Sequence, residues 1–190
     1  RNPVVPWRDR RVVAERNRDV FFVGRLEKDK GVDVVAEAAR KAGATLRVIG
    51  DGPLRDQLRR EHPEAELLGW RPRAEIAGLI ASARFLVVPT RWRETFGLVT
   101  LEALTSGVPV LVSKFALVAQ ELVGLGCAEF CDPYDPEALA GSIARLADDD
   151  ERIRVMSERG YAHAPDLAPT PQAWCDRLIH LYRAKLAQAG

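Results

Sequence analysis

Six short apolar runs alternate with stretches of helical spacing, and that alternation leaves this chain few folds. Val20-Phe21-Phe22-Val23 is a continuous apolar run ended by Gly24, as a strand buried on both faces requires. The runs 45–49, 65–68, 85–89, 108–112 and 128–131 repeat the pattern, most of them closed by glycine or proline. Between them the spacing predicts helices over 32–42 (closed by Gly43), 54–61, 73–82 and 97–106, with a short one around 116–122. Pro53 suits the first helical position before Leu54. Asp135-Pro136-Glu137 is a strong start for a helix running to about Ala147: a cap, a proline at the first position, then an acid. Asp149 or Asp150 opens another, ending near Gly160, and Pro171 to Ala187 forms the last. Strands separated by helices make an α/β fold, a doubly wound six-stranded parallel sheet. The stretch 162–171, with three prolines, reads as a linker before the last helix.

Ligands of such sheets sit beyond the carboxyl ends of the strands, at the switch point of strand order. The residues with chemical potential all fall there: Arg25 after the first strand, Gly50 and Gly52 after the second, Trp70 and Arg71 after the third, Glu94 after the fourth, Ser113 after the fifth. In Glu94-Thr95-Phe96-Gly97-Leu98-Val99-Thr100-Leu101-Glu102, two carboxylates stand eight positions apart around a glycine that opens a helix. Free N–H groups at a helix start attract an anion, and carboxylates accept hydrogen bonds from sugar hydroxyls. One turn therefore complements both halves of a nucleotide sugar. Gly24-Arg25-Leu26-Glu27-Lys28-Asp29-Lys30-Gly31 adds a guanidinium and an ammonium. Either they neutralise a diphosphate or the loop is simply charged and solvated.

Composition excludes several classes. A total of 28 Lys+Arg against 27 Asp+Glu gives no reason to expect a nucleic-acid partner or an acidic membrane surface. No apolar run approaches the ~20 residues of a membrane span, and no signal peptide opens the chain. Cys127, Cys131 and Cys175 read as reduced thiols rather than metal ligands, which fits a cytoplasmic protein. Gly50-Asp51-Gly52-Pro53-Leu54-Arg55 begins like the dinucleotide fingerprint, but Arg55 replaces the third glycine. No acid ends a following strand at the expected distance, so a plain strand-to-helix turn is the better reading. His62, His163 and His180 read as surface residues, and none has a Ser or Cys partner for a hydrolase triad. Trp92, between Arg91 and Arg93, either faces a ligand or covers the sheet edge. Trp70-Arg71 either flanks a base or is a partly buried loop.

These motifs resemble the donor-binding half of the large group-one family of retaining glycosyltransferases, which are built as two facing Rossmann-like domains (the GT-B fold). The carrying residues are Gly24-Arg25 with Lys30-Gly31, Gly50-Asp51-Gly52-Pro53, Glu94-Thr95-Phe96-Gly97-Leu98 with Glu102-Ala103, and Ser106-Gly107-Val108-Pro109-Val110. The resemblance implies that Arg25 and Lys30 hold the donor diphosphate and serve the chemistry together with Glu94. Glu94, Thr95, Phe96 and Gly97 would contact the transferred sugar, backbone N–H groups at Gly97 and Leu98 the phosphate, Glu102 the ribose, and Gly69-Trp70-Arg71 the base. It implies no metal and no cofactor, only a substrate nucleotide sugar linked to UDP, GDP or ADP.

Residues 1–17 would end the interdomain connection, 18–161 form the nucleotide-sugar domain, and 162–190 comprise a linker and a C-terminal crossover helix. That helix's apolar face (Trp174, Leu178, Leu181, Tyr182) would be partly unsupported. The acceptor, a glycan, lipid or small molecule, would be held by an N-terminal domain absent from this chain, as would any peripheral membrane contact. The chain alone is then expected to be inactive. Two alternatives stand beside this reading: a stand-alone nucleotide-sugar-binding or regulatory module, and a sugar-phosphate or epimerase-type enzyme on the same architecture. One departure concerns the loop 114–121, where the family often has a glycine pair before Pro-Glu. Here it reads Lys114-Phe115-Ala116-Leu117-Val118-Ala119-Gln120-Glu121, so close backbone approach to a donor is harder.

Overall fold

The computed structural model describes residues 2–95 and 97–188. Its centre is a six-stranded, all-parallel sheet in the order β3-β2-β1-β4-β5-β6. The strands are β1 (Asp19–Val23), β2 (Leu46–Ile49), β3 (Glu66–Gly69), β4 (Ala83–Val88), β5 (Val110–Ser113) and β6 (Ala128–Cys131). β1 pairs with β2 through Val20–Leu46 to Val23–Ile49, and with β4 through Val20–Phe85. The inner strands β4 and β5 are buried almost throughout, which is why they read as unbroken apolar runs, while the edge strands β3 and β6 are only partly covered.

The helices are α1 (Val32–Ala42), α2 (Arg55–Glu61), α3 (Arg73–Leu79), α4 (Leu98–Thr105), α5 (Ala119–Gly124), α6 (Pro136–Asp148), α7 (Asp150–Ala162), α8 (Ala164–Leu167) and α9 (Pro171–Gln188). α1 lies against α6 on one face, and α4 lies against α7 and α8. The expected starts hold at α6 and α7. Asp135 accepts a hydrogen bond from the Ala138 N–H at 2.9 Å, with Pro136 in the first turn, and Asp149 accepts from the Arg152 N–H at 2.8 Å. None of the helices is long and apolar enough to cross a membrane, among the described residues.

Five expectations are corrected. α2 begins at Arg55, because Pro53 and Leu54 form the turn ahead of it. The third helix changes pitch: α3 ends at Leu79, and a 3-10 turn, Ile80–Ser82, carries the chain into β4. The fifth starts at Ala119 rather than near Ala116, since residues 114–118 turn back over the sheet end. The stretch read as a linker contains α8, and Leu167 and Ala168 are buried there. His62 is buried, not on the surface, at the carboxyl end of α2.

The segment 2–17 packs onto this domain, burying Val4, Trp7, Val12 and Ala14. The Ser106 hydroxyl accepts from the N–H groups of Trp7 (2.9 Å) and Arg8 (3.2 Å), and the Val12 N–H donates to the Ser106 carbonyl at 2.9 Å. On α9, Trp174 and Leu178 are half-buried, whereas Leu181 and Tyr182 are exposed.

The opposite end of the sheet holds a polar plug. Arg84, in β4, is fully buried. Its Nε donates to the Leu146 carbonyl at 2.9 Å and its Nη1 to the Asn17 carbonyl at 3.1 Å, with Asp150 at 2.7 Å. Leu146 is in the last turn of α6, where carbonyls lack helical partners, so a guanidinium there satisfies an acceptor that the helix cannot.

Candidate functional site

Strand order reverses between β1 and β4, and the sequence motifs converge at the carboxyl ends of these two strands. After β1 the chain makes a turn through Gly24 to Lys30, with a 3-10 turn over Lys28–Lys30, and enters α1 through Gly31. Gly31 sits at φ 70°, and a Cβ there would overlap the Pro89 carbonyl oxygen, so glycine is required for this close approach. The neighbouring turn after β4 is bound to it: the Arg91 N–H donates to the Asp29 carbonyl at 2.8 Å, and the Arg91 guanidinium pairs with Asp33 at 3.1 Å. Arg91, read from sequence only as a neighbour of Trp92, is thus a tie between the two loops.

An ion pair between two candidate site residues crosses this seam. Lys30 Nζ lies 3.2 Å from Glu94 Oε2, with both side chains about one-third exposed. Together with Gly24, Thr90, Gly97 and Thr100 they line a small cavity of about 60 Å³. Such a space holds a few waters, so a nucleotide would lie over it rather than inside. Arg25 projects into solvent beside it and pairs with Glu27, which raises the arginine's already high pKa.

α4 begins directly beyond Gly97, which is at φ 55° and accepts from the Leu101 N–H at 3.0 Å through its carbonyl. The first N–H groups of α4 have no helical acceptor, and no acid occupies its first turn, so that end is open to an anion. Thr95 and Leu98 are exposed; Phe96 lies outside the described residues. Glu102, farther along α4, is only 20% exposed and is paired with Arg73. Burial pushes its carboxyl above the usual range, and the Arg73 guanidinium opposes that rise.

The loop 114–121 closes over this turn. The Leu117 N–H donates to the Glu94 carbonyl at 3.0 Å, and Val118 reaches the space beside Gly97. Where the family often has glycines, this chain therefore places the Leu117 main chain and the Val118 side chain against the Glu94–Gly97 turn. Ser113 is buried, and its hydroxyl accepts from the Phe115 N–H at 3.2 Å, a turn-stabilising role.

On the other side, the turn after β2 is stitched to the turn after β1. The N–H of Gly24 donates to Ile49, that of Leu26 to Asp51, and that of Leu54 to Leu26, all at 3.0 Å. Gly50 sits at φ 145° with its α-carbon against the Gly24 carbonyl, so a side chain has no room. These contacts explain Gly50-Asp51-Gly52 as a packing turn. The Gly50 N–H donates to the Gly69 carbonyl at 2.9 Å, which extends the stitching to β3. Trp70, beyond Gly69, is 71% exposed, as is Trp92, so neither covers the sheet. Arg71 folds back, donating to the Leu68 carbonyl at 3.0 Å and pairing with Glu75 at 3.1 Å.

The structure thus brings Lys30, Glu94 and Gly97 together and places Arg25 at their rim. Glu102 and the Gly69–Arg71 loop stand farther out, linked by a residue the sequence did not single out. Arg73 opens α3 three positions after Trp70 and spans to Glu102. No local pattern announces a pair formed across 29 positions.

Known proteins share this sequence and this fold. The sequence profile of the family described as "Glycosyl transferases group 1" matches residues 6–163. The D-inositol 3-phosphate glycosyltransferase of Segniliparus rotundus is 34% identical over 190 residues, covering 88% of this chain and 40% of that protein. The glycogen synthase of Mycobacterium tuberculosis is 31% identical over 156 residues, covering 74% of this chain and 37% of its own length. This chain therefore spans about 40% of the length of these two curated relatives.

Among solved structures, the sucrose-phosphate synthase of Thermosynechococcus elongatus superposes with a TM-score of 0.84 at 22% identity, over 98% of this chain and 52% of that one. Anabaena Alr3699/HepE, solved in complex with UDP, gives a TM-score of 0.73 at 24% identity, over 90% of this chain and 50% of that one. At these identities the likeness establishes the fold.

Proposed function

The chain belongs to the group 1 glycosyl transferases, and from that premise we propose that it is the donor-binding domain of a retaining enzyme that moves a hexose-type sugar from a nucleoside diphosphate to an acceptor. The observation that carries the reading is the Lys30–Glu94 pair at 3.2 Å, beside the open start of α4 at the switch point of the sheet. In the structure each group is the other's counterion. A nucleotide sugar brings a better partner for both: its diphosphate takes the ammonium and the α4 N–H groups, and its sugar hydroxyls take the carboxylate.

Arg25 joins Lys30 at the diphosphate. As the bond to the sugar breaks, negative charge grows on the leaving diphosphate, and two cations with a helix start stabilise it where it develops. Glu94, with backbone groups at Thr95, Phe96 and Gly97, orients the transferred sugar; Gly97 and Leu98 lend N–H groups to phosphate. Glu102 accepts from the ribose hydroxyls, and the Gly69-Trp70-Arg71 loop adjoins the base, with Trp70 free to stack. Complexes of the Anabaena relative with UDP and with UDP-glucose support a nucleotide-linked donor. The nucleotide sugar is substrate, and the scheme calls on no cofactor. The acceptor, whether glycan, lipid or small molecule, is assigned to the part of the enzyme this chain does not include. Free thiols at Cys127, Cys131 and Cys175 support a cytoplasmic setting.

Calorimetry tests the assignment. UDP, GDP and ADP are titrated into the chain and into Arg25→Ala. Loss of one charge-assisted phosphate contact costs about 1.5–3 kcal/mol, roughly ten- to hundredfold in Kd. Equal binding by both proteins removes Arg25 from the diphosphate site. In the complete enzyme, Glu94→Gln is expected to depress turnover more than donor affinity, and normal transfer by that variant counts against the sugar contact.

A further inference from the structure

We propose that Arg73 is a positioning residue of the donor site, clamping the Glu102 carboxylate in the orientation that accepts hydrogen bonds from the ribose; this rests on the donor reading above. The guanidinium uses its fork on two partners. Nη1 donates to Glu102 Oε1, while Nη2 donates to the Val5 carbonyl in the segment that runs along the domain. With both arms engaged the planar group is fixed, and so is the carboxylate it holds. One carboxylate oxygen is taken by Arg73, which leaves Oε2 for a hydroxyl. Arg73 also stands three residues beyond Trp70, so a single side chain links the base-adjacent loop to the ribose acid.

The same contact governs the charge of Glu102. Its side chain is 20% exposed, and burial favours the neutral acid; Arg73, from α3, is the charged group that opposes burial. α4 itself carries no other ionisable side chain, and the segment 2–17 offers only its Val5 carbonyl at the guanidinium. An ionised carboxylate is about twice as strong an acceptor as a neutral one. The sign follows: the strong acceptor exists above the Glu102 pKa and is lost as pH falls through it. Removing Arg73 moves that loss to higher pH.

The test compares UDP, GDP and ADP with their 2′,3′-dideoxy counterparts on the wild-type chain, Arg73→Met, Arg73→Lys and Glu102→Gln, from mildly acid to mildly alkaline pH. Arg73→Met is expected to weaken ribonucleotide binding by about tenfold at mildly acid pH and by less at alkaline pH. The 2′,3′-dideoxy nucleotides should lose little, because neither ribose hydroxyl remains in them to donate to Glu102. Arg73→Lys keeps the charge and should recover the wild-type pH profile, a rescue that also controls for folding. If Glu102→Gln loses the ribose preference while Arg73→Met keeps it at every pH, the positioning role is overturned and the donor reading stands. If Glu102→Gln keeps the full preference, or none of the three ribonucleotides binds, the ribose assignment fails and the inference fails with it.

Discussion

Replacing Arg84 by methionine asks what the polar plug at the amino end of β4 contributes. The guanidinium is fully buried, and methionine matches its length without leaving a large void. Two main-chain acceptors lose a close donor, the Leu146 carbonyl reached at 2.9 Å and the Asn17 carbonyl reached at 3.1 Å, while the Glu15 carbonyl loses a weaker contact at 3.4 Å. A buried carbonyl without a partner costs about 1–3 kcal/mol, so the two together cost roughly 4 kcal/mol. Against this, methionine removes a buried guanidinium whose Nη2 has no hydrogen-bond partner among the described residues, a relief of about 1 kcal/mol. Asp150 keeps Arg18 at 2.7 Å and is not orphaned.

The expected net loss is about 3 kcal/mol, or roughly 6–12 °C in Tm for a chain of this size. Urea unfolding followed by tryptophan fluorescence measures it, and the slope of free energy against urea should not change. A loss below about 1 kcal/mol would falsify the account, because it would mean that solvent reaches those carbonyls as readily as Arg84 does.

Two further outcomes follow from burial and ion pairing. Burial pushes the Cys127 and Cys131 thiols up to about 11 and about 12, whereas Cys175 is exposed. A thiol reagent at neutral pH should therefore titrate one group in the native chain and three after denaturation, and rapid native reaction of all three would contradict the packing around β6. Asp150 is held down from 3.8 to about 2 by hydrogen bonds from Arg18 and then Arg84. Its folded pKa is depressed, so its contribution is present above pH 3.8 and is lost as pH falls through about 2. Asp150→Asn should flatten the acid limb of the stability profile in that window; superimposable acid-unfolding curves for the two proteins would refute the pairing.

The sheet was legible because its inner strands are covered on both faces, so β1, β4 and β5 appear as uninterrupted apolar runs. Helix starts were legible where a capping acid acts on its own neighbours, as Asp135 does. What escaped notice depends on partners distant in the chain. Arg84 sits one residue before the run read as a strand, where a charge suggests solvent, and only the end of α6 makes the position polar inside. α8 was hidden among prolines, one of which fits its first turn, with Leu167 as the buried anchor. At the site, the meeting of Lys30 with Glu94 follows from strand order, because the loops after β1 and β4 are neighbours once the order reverses there. The Arg91–Asp33 tie joins the same two segments, whereas the Arg73–Glu102 pair follows from no such rule, since it depends on where α3 and α4 pack.

The stitching between the turns after β1, β2 and β3 is written in main-chain atoms, from Leu26 to Asp51 and from Gly50 to Gly69. A frame held that way is indifferent to which side chains it carries. The side chains that these loops present can therefore be exchanged, one at a time, without disturbing the scaffold beneath. Freedom is withheld at glycines such as Gly31 and Gly50, where a single methyl group would collide with a neighbouring turn's carbonyl. Conservation of shape and drift of specificity are then separable, residing in different atoms of the same short loops.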